Sequence, residues 1–549
     1  MSHSYDRRSF LAGGLALGAG AAMLGALGDE AGEAGAAATN GPGRNGVSSA
    51  KPKRGGSLTM GIDTEESGFD PSTARWDEGG FLYGRTVMDP IAIVNAAGQV
   101  EPYLAQSITS NADFTAFTIT LRPGIVFHDG TPLDANALHL NIEKQATSIL
   151  TGPAFADQIA SASVTGPLAV TINMKTSWAP FPYYLAQAQT GYVAAPSMLN
   201  NPNGTSHPIG TGPFVFQDWV PNSHMTATAN PHYWRKGYPY LQSITYKPII
   251  DPNARVDALE TGEVDIMHTN SPGSLQQFRG DKKWSYYDNS GQVVGQPTVQ
   301  CMMLNTSAPP FNNHTLRVAM AKCVNQAQFA KIIDKGIDAP MNGLFLPGSE
   351  YYTKTSYPAY DPAGAAKLVK QVQQQTGKPV SFTLNSTSNA DVLRSAQFLQ
   401  QAFQQAGMQV NINIVAQATI INDALAGTYQ ATLWRQFGAV DPDLNYVWWS
   451  TQTVAPPLAL NMARNSDPRI QTALLAGRTT SNKATRVKAY QQVNQYLAED
   501  IPYIWFARDT WAAIANPKVQ NFANPTTLQG SKAVAYDEGV LWPTQIWVS

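Results

Sequence analysis

The stretch Phe127-His128-Asp129-Gly130-Thr131-Pro132-Leu133-Asp134 ends one element and begins another. Asp129-Gly130 is a turn pair: glycine takes positive φ without a Cβ clash, and a short aspartate side chain bonds the backbone just beyond it. Asp134 is placed to cap a helix, and Leu133 to Ile149 carries helical apolar spacing. Outward from it, Thr115 to Leu121 and Val170 to Met174 alternate like half-buried strands, and Gly55 to Gly61 reads as a short first strand closed by glycines. Later, His314 to Lys335 is a helical run with Leu316, Ala319, Met320 and Cys323 on one face. Asp361 to Gln375 and Val392 to Ala406 are two more helices, followed by the strands Ser381 to Leu384 and Val410 to Val415. This alternation predicts an α/β chain in which a second lobe follows the first.

At 549 residues the chain is several domains long and can bury a large core. Lys and Arg number 37 against 39 Asp and Glu, a net charge of -2, so no field draws it to nucleic acid or anionic lipid. Aromatic residues make up 10% with 12 Trp, which excludes a disordered chain. After the N-terminus no run of apolar residues is long enough to span a membrane.

Asp6-Arg7-Arg8-Ser9-Phe10-Leu11, followed by a Gly/Ala/Leu stretch to Gly28, resembles a twin-arginine export signal. Asp6 and Ala12 depart from its usual flanks. Ala36-Ala37-Ala38 offers a cleavage site, so residues 1–38 are expected to be removed and 39–54 to form a flexible leader. Neither Cys301 nor Cys323 lies at the cleavage point, so no lipid anchor is expected, and the two are read as buried free thiols. The expected destination is the periplasm or the outer side of the cell envelope.

The opening stretch gains meaning from its company. In order, the chain carries Pro102-Tyr103-Leu104-Ala105, then Leu121-Arg122-Pro123-Gly124 running into Phe127 to Leu133. Pro208-Ile209-Gly210-Thr211-Gly212-Pro213-Phe214, Asn230-Pro231-His232-Tyr233-Trp234 and Gly262-Glu263-Val264-Asp265-Ile266 follow. Leu304-Asn305 with Pro310-Phe311 and Arg317, Tyr360-Asp361-Pro362-Ala363, and Leu497 to Pro502 complete the series. Together these resemble the peptide/nickel/opine family of solute-binding proteins that serve ABC importers. The resemblance implies an α/β, two-lobed periplasmic-binding-protein clamp (type II, cluster C like) with an extra subdomain inserted in the N-terminal lobe. Lobe I would take 55–93, 208–285 and 515–549, the subdomain 94–207, and lobe II 286–514. It further implies a monomer that closes on a small-molecule or peptide ligand and presents it to an ABC permease with its ATPase.

No enzyme constellation competes with this reading. The eight histidines include no H-E-x-x-H pair, and Gly210-Thr211-Gly212 has no Lys for a phosphate, so no metal, cofactor or catalytic residue is expected.

The resemblance places ligand contacts on Asp63, Thr64, Glu65 and Glu66 after the first strand, and on the segment running from Trp434 to Asp441-Pro442-Asp443. Peptide binders of the family carry an acid after a Trp, in a pattern like W-x-x-D, to hold the ligand ammonium. Here Phe437 or Gly438 stands in its place. Three alternatives follow: Asp441 takes the amine, Asp63 or Glu65 takes it from the other lobe, or the ligand has no free amine; Arg435 suits a carboxylate. Trp434 offers a flat apolar face, while Trp448 and Trp449 read as core. A peptide or peptide-like ligand leads, an oligosaccharide or glycoside is the alternative, and a ligand-presenting receptor module is a different class of role.

Overall fold

The computed structural model describes residues 46–148, 151–155, 158–291, 295–454, 459–534 and 539–549. The export signal and the first part of the leader lie outside the described residues, as does Ile149; residues 46–56 form neither helix nor strand.

Two sheets organise two α/β lobes. In the first, Ser57–Ile62 lies parallel to both Ser243–Pro248 and Ile266–Thr269. The hairpin Phe214–Val220 and His224–Ala229 extends one edge, and Ala512–Ala515 with Ser285–Asp288 closes the other, giving seven strands. Leu58, Met60 and Ile62 point into a core with Tyr83, Val87, Met225 and Tyr246. Five strands build the second lobe, in the spatial order Gln409–Ile414, Ser381–Ser386, Ala431–Gln436, Val299–Leu304 and Tyr503–Arg508. Its helices include His314–Cys323, Pro362–Thr376, Ala390–Gln405 and Lys483–Asp500, and their apolar faces share one core with the sheet. A four-stranded antiparallel sheet, Ala105–Ser110, Ala116–Leu121, Ala169–Met174 and Ile159–Gly166, interrupts the chain of the first lobe and has its own core. The chain crosses between lobes twice, from Asp288 to Val299 and back from Arg508 to Ala512.

The sequence motifs become contacts. Asp129 Oδ1 accepts from the Thr131 N–H at 3.0 Å, Gly130 has φ 82°, and Asp134 caps Ala135–Thr147 by accepting from the Ala137 N–H. His128 N–H donates to the Gly210 carbonyl at 2.9 Å, tying the opening stretch to Gly210-Thr211-Gly212. A Cβ on Gly210 would stand 2.2 Å from the Val87 carbonyl oxygen, so this glycine pair serves close backbone packing. Thr211 Oγ1, Tyr233 OH and Trp234 Nε1 all donate to the buried Asp89 carboxylate, at 2.8–3.0 Å. Burial nevertheless pushes Asp89 up to about 6, because the three donors only partly replace water. Arg317 donates to Asp500 Oδ1 and to the Phe311 carbonyl, joining three motif positions distant in sequence.

One expected element is divided. The run from His314 to Lys335 forms two helices, His314–Cys323 and Gln326–Ile332, because the Asn325 side chain accepts from the Gln328 N–H and caps a new start. Leu316, Ala319, Met320 and Cys323 share the buried face as expected, and both cysteines are free and buried.

Candidate functional site

The loop after the first strand sits on the side of the first lobe that meets the second. Asp63 Oδ1 lies 2.9 Å from His268 Nε2, and the other ring nitrogen of His268 is 2.9 Å from the Gly539 carbonyl. Burial opposes the Asp63 charge, but His268, Arg255 and Arg435 together outweigh it and hold the carboxyl well below its usual range. Thr64 Oγ1 donates to Asp77 at 3.1 Å. Glu65 turns toward its own lobe, accepting from Trp219 Nε1 at 2.8 Å and from the Asn222 N–H at 2.7 Å. Glu66 is buried against Gly79 and Gly80. Burial first, then the Asp77 carboxyl beside it, raises its pKa well above the ordinary range.

On the second lobe, Trp434 and Arg435 occupy the strand Ala431–Gln436 and point to opposite faces, as neighbours on a strand must. Arg435 reaches across to the first lobe. Its Nη2 donates to Glu78 Oε1 at 2.5 Å, Nη1 is 3.7 Å from Asp509 Oδ2, and the guanidinium lies 5.4 Å from the Trp511 ring. Glu78 opens the helix Glu78–Val87 and is 4% exposed, so the guanidinium offsets a charge that would otherwise be costly to bury. The sequence reading missed Glu78; the only signal was its place in the first turn after the N-cap Asp77.

Trp434, Phe437 and Trp448 come together. They line a small pocket with Met303, Gln436, Leu460, Met462 and Tyr503, and the Phe437 and Trp448 rings are 5.4 Å apart. Trp449 belongs to the core, where its Nε1 donates to Gln436 at 3.0 Å, while Trp448 keeps a half-buried face on the pocket. Gly438 follows Phe437, and a bridge between Gln296 and Ala439 fixes the chain next to it.

The Asp441-Pro442-Asp443 segment is structural in this conformation. Asp441 caps the turn Pro442–Asn445 and pairs with Arg486 at 2.5 and 2.6 Å through its two oxygens. Burial, reinforced by Asp443, still pushes Asp441 up to about 6 despite that arginine. Asp443 is wholly buried and accepts from Arg478 at 2.9 and 3.0 Å, from Trp178 Nε1 at 2.8 Å and from Tyr490 OH at 3.2 Å. A carboxylate removed from water needs such partners, and here they come from elements on either side of the segment. Other ties between lobes are Ser271 Oγ to Asp391 at 2.8 Å and Arg75 to Asn422 at 3.3 Å.

Among the described residues no group of three or more His, Cys, Asp or Glu could hold a metal ion, and no helix is long and apolar enough to cross a membrane.

The model of the bacterial extracellular solute-binding proteins, family 5, matches residues 99–455. A glutathione-binding protein of Pectobacterium atrosepticum is 26% identical over 449 residues, which cover 77% of this chain and 84% of the relative. Among solved structures, an ABC transporter-associated periplasmic binding protein of Helicobacter pylori in complex with the peptide STSA superposes with a TM-score of 0.79 at 20% identity, covering 90% of this chain and 98% of the other. The oligopeptide-binding protein of Bacillus subtilis in complex with a nonapeptide gives 0.78 at 18%, covering 91% and 100%. The structural likenesses carry the two-lobed clamp, and with the family match they establish that this chain belongs to the bacterial extracellular solute-binding proteins of family 5.

Proposed function

We propose that this protein is the substrate-binding component of an ABC importer, capturing a peptide or peptide-like solute between its lobes and delivering it to a permease with its ATPase. The observation that carries this reading is the contact region itself: Arg435 from one lobe faces Glu78 from the other beside Asp63, so charged groups of a zwitterionic ligand find both signs there. The glutathione-binding relative and the peptide complexes of the same fold support it. The ligand contacts are assigned to Asp63, Thr64, Trp434, Arg435, Phe437 and Gly438, with Glu65 and Asp441 holding the loops that present them. The chain acts as a monomer without catalytic chemistry, after twin-arginine export, with the lobe limits expected from the sequence moved so that Ser285–Asp288 and Ala512–Ala515 belong to lobe I, whose sheet they join.

An oligosaccharide or glycoside is the second reading, favoured by the flat rings of Trp434, Phe437 and Trp448. Denatured and refolded mature chain, freed of carried ligand, is screened by thermal shift against glutathione, free-amine peptides, their N-acetylated forms and oligosaccharides. A ligand that binds only the native state raises Tm by mass action. A rise with glutathione or peptides supports the proposal, and a rise with oligosaccharides alone replaces it with the second reading.

A further inference from the structure

The two segments that cross between the lobes are tied to each other. Arg508 donates to the Ser290 carbonyl at 2.7 Å and to the Asn289 carbonyl, the Trp511 N–H donates to Asn289 Oδ1 at 3.0 Å, and the Asp509 N–H donates to the Thr298 carbonyl at 2.9 Å. Against this crossing packs the chain that follows Gln326–Ile332. Asp338 Oδ1 accepts from the Thr510 N–H at 2.9 Å, and Gln300 Nε2 lies 3.4 Å from Asp334 Oδ1. Asp334, Asp338 and Asp509 are 1%, 5% and 4% exposed, so three carboxyl groups are shut in at the point where the clamp must bend.

Two of their oxygens, Asp334 Oδ2 and Asp338 Oδ2, have no hydrogen-bond partner among the described residues. The charged neighbours do not balance three anions. Arg508 faces Asp338, Asp509 and Asp288, with its guanidinium held by two carbonyls; Arg435 faces Asp509 but also Glu78; and Asp63 with His268 approaches Asp509 from the first lobe. Asn270 and Trp511 Nε1 donate to Asp509, while Thr510 N–H and Gln300 serve one oxygen each of Asp338 and Asp334 and leave the other oxygen of both unserved. Burial first, then Asp338, holds Asp334 far above the usual carboxylate range, and burial with Asp509 does the same to Asp338.

We propose that Asp334 and Asp338 keep a proton at the hinge that favours the closed lobes, and that losing it releases them. The closed form then binds one proton more than an open form in which water reaches the pair. Between an ordinary carboxylate pKa of about 4 and the raised value, the open-to-closed ratio grows about tenfold per pH unit, and it is constant outside that window. The proposal rests on the two-lobed fold and not on the identity of the ligand.

Small-angle X-ray scattering of the ligand-free mature chain, scanned from about pH 5 to about pH 9, reads the radius of gyration beside Asp338→Asn and Asp334→Asn, in which the amide keeps the shape and cannot ionise. The wild-type radius is expected to increase with pH, and Asp338→Asn to stay at the compact low-pH value throughout. A wild-type profile that is flat, a wild-type-like rise in both variants, or a variant expanded at every pH overturns the proposal. Circular dichroism checks the fold of each variant, and if Asp338→Asn does not fold, Asp334→Asn decides by the same criterion.

Discussion

Arg435 shows how much one side chain carries at the meeting of the lobes. It pairs with the buried Glu78 and passes close to Asp509 and Trp511, so removing it takes an ion pair from a buried anion. Arg435→Ala is expected to weaken the affinity for the ligand found by thermal shift by about 10-fold or more, as measured by isothermal titration calorimetry. Glu78→Gln, which keeps a hydrogen-bonding oxygen, is expected to cost less. Equal affinity in both variants and wild type would remove this pair from the binding site. Asp443 is the opposite case, a residue the resemblance points toward the ligand but whose oxygens bind Arg478, Trp178 and Tyr490. Asp443→Ala strands the wholly buried Arg478 and is expected to destabilise the fold by about 3–5 kcal/mol in urea unfolding. Its three partners come from distant parts of the chain, so nothing in the local Asp-Pro-Asp pattern could have revealed them.

At the scale of elements, short-range chemistry was legible and long-range commitment was not. The Asp129-Gly130 turn, the Asp134 cap and the helix after it follow from neighbours within a few residues. The division of the run from His314 to Lys335 was missed because apolar spacing continues through Asn325, whose capping bond interrupts the helix without breaking the pattern. Gly210-Thr211-Gly212 could be recognised as a motif but not explained until Val87 and Met88 were seen against it. Gly212→Ala would put a Cβ 2.5 Å from the Val87 carbonyl carbon, a backbone contact that cannot rotate away. It is expected to lower stability by about 1–3 kcal/mol by denaturant unfolding, with Gly262→Ala, whose site is free of contacts, serving as the comparison for backbone strain alone.

The whole molecule stores protons in its interior. Asp89 and Asp441, each pushed up to about 6, are raised relative to an unfolded chain near 4. The folded state therefore binds more protons than the unfolded state between those values, and these two groups make stability fall as pH rises through about 4 to 6, after which their effect levels off. Asp89→Asn removes one such site. Its Tm is expected to be lower than wild type near pH 6, because an amide cannot accept from all three donors, and to change less steeply with pH below that point. Parallel pH profiles for the two proteins would show that Asp89 is ionised across the whole range.

From the sequence alone came the α/β class, the order of the motifs and the family. All of these depend on local turn and cap chemistry, on apolar periodicity, or on the succession of short patterns along the chain. Tertiary structure alone decided which charges meet. Glu78 and Arg435 are 357 residues apart, yet they share a hydrogen bond, while Asp441, three residues beyond Gly438, turns to Arg486. The physical reason is that a carboxylate excluded from water is held by whatever donor the fold brings within reach, and that donor is chosen by packing, not by proximity in the chain.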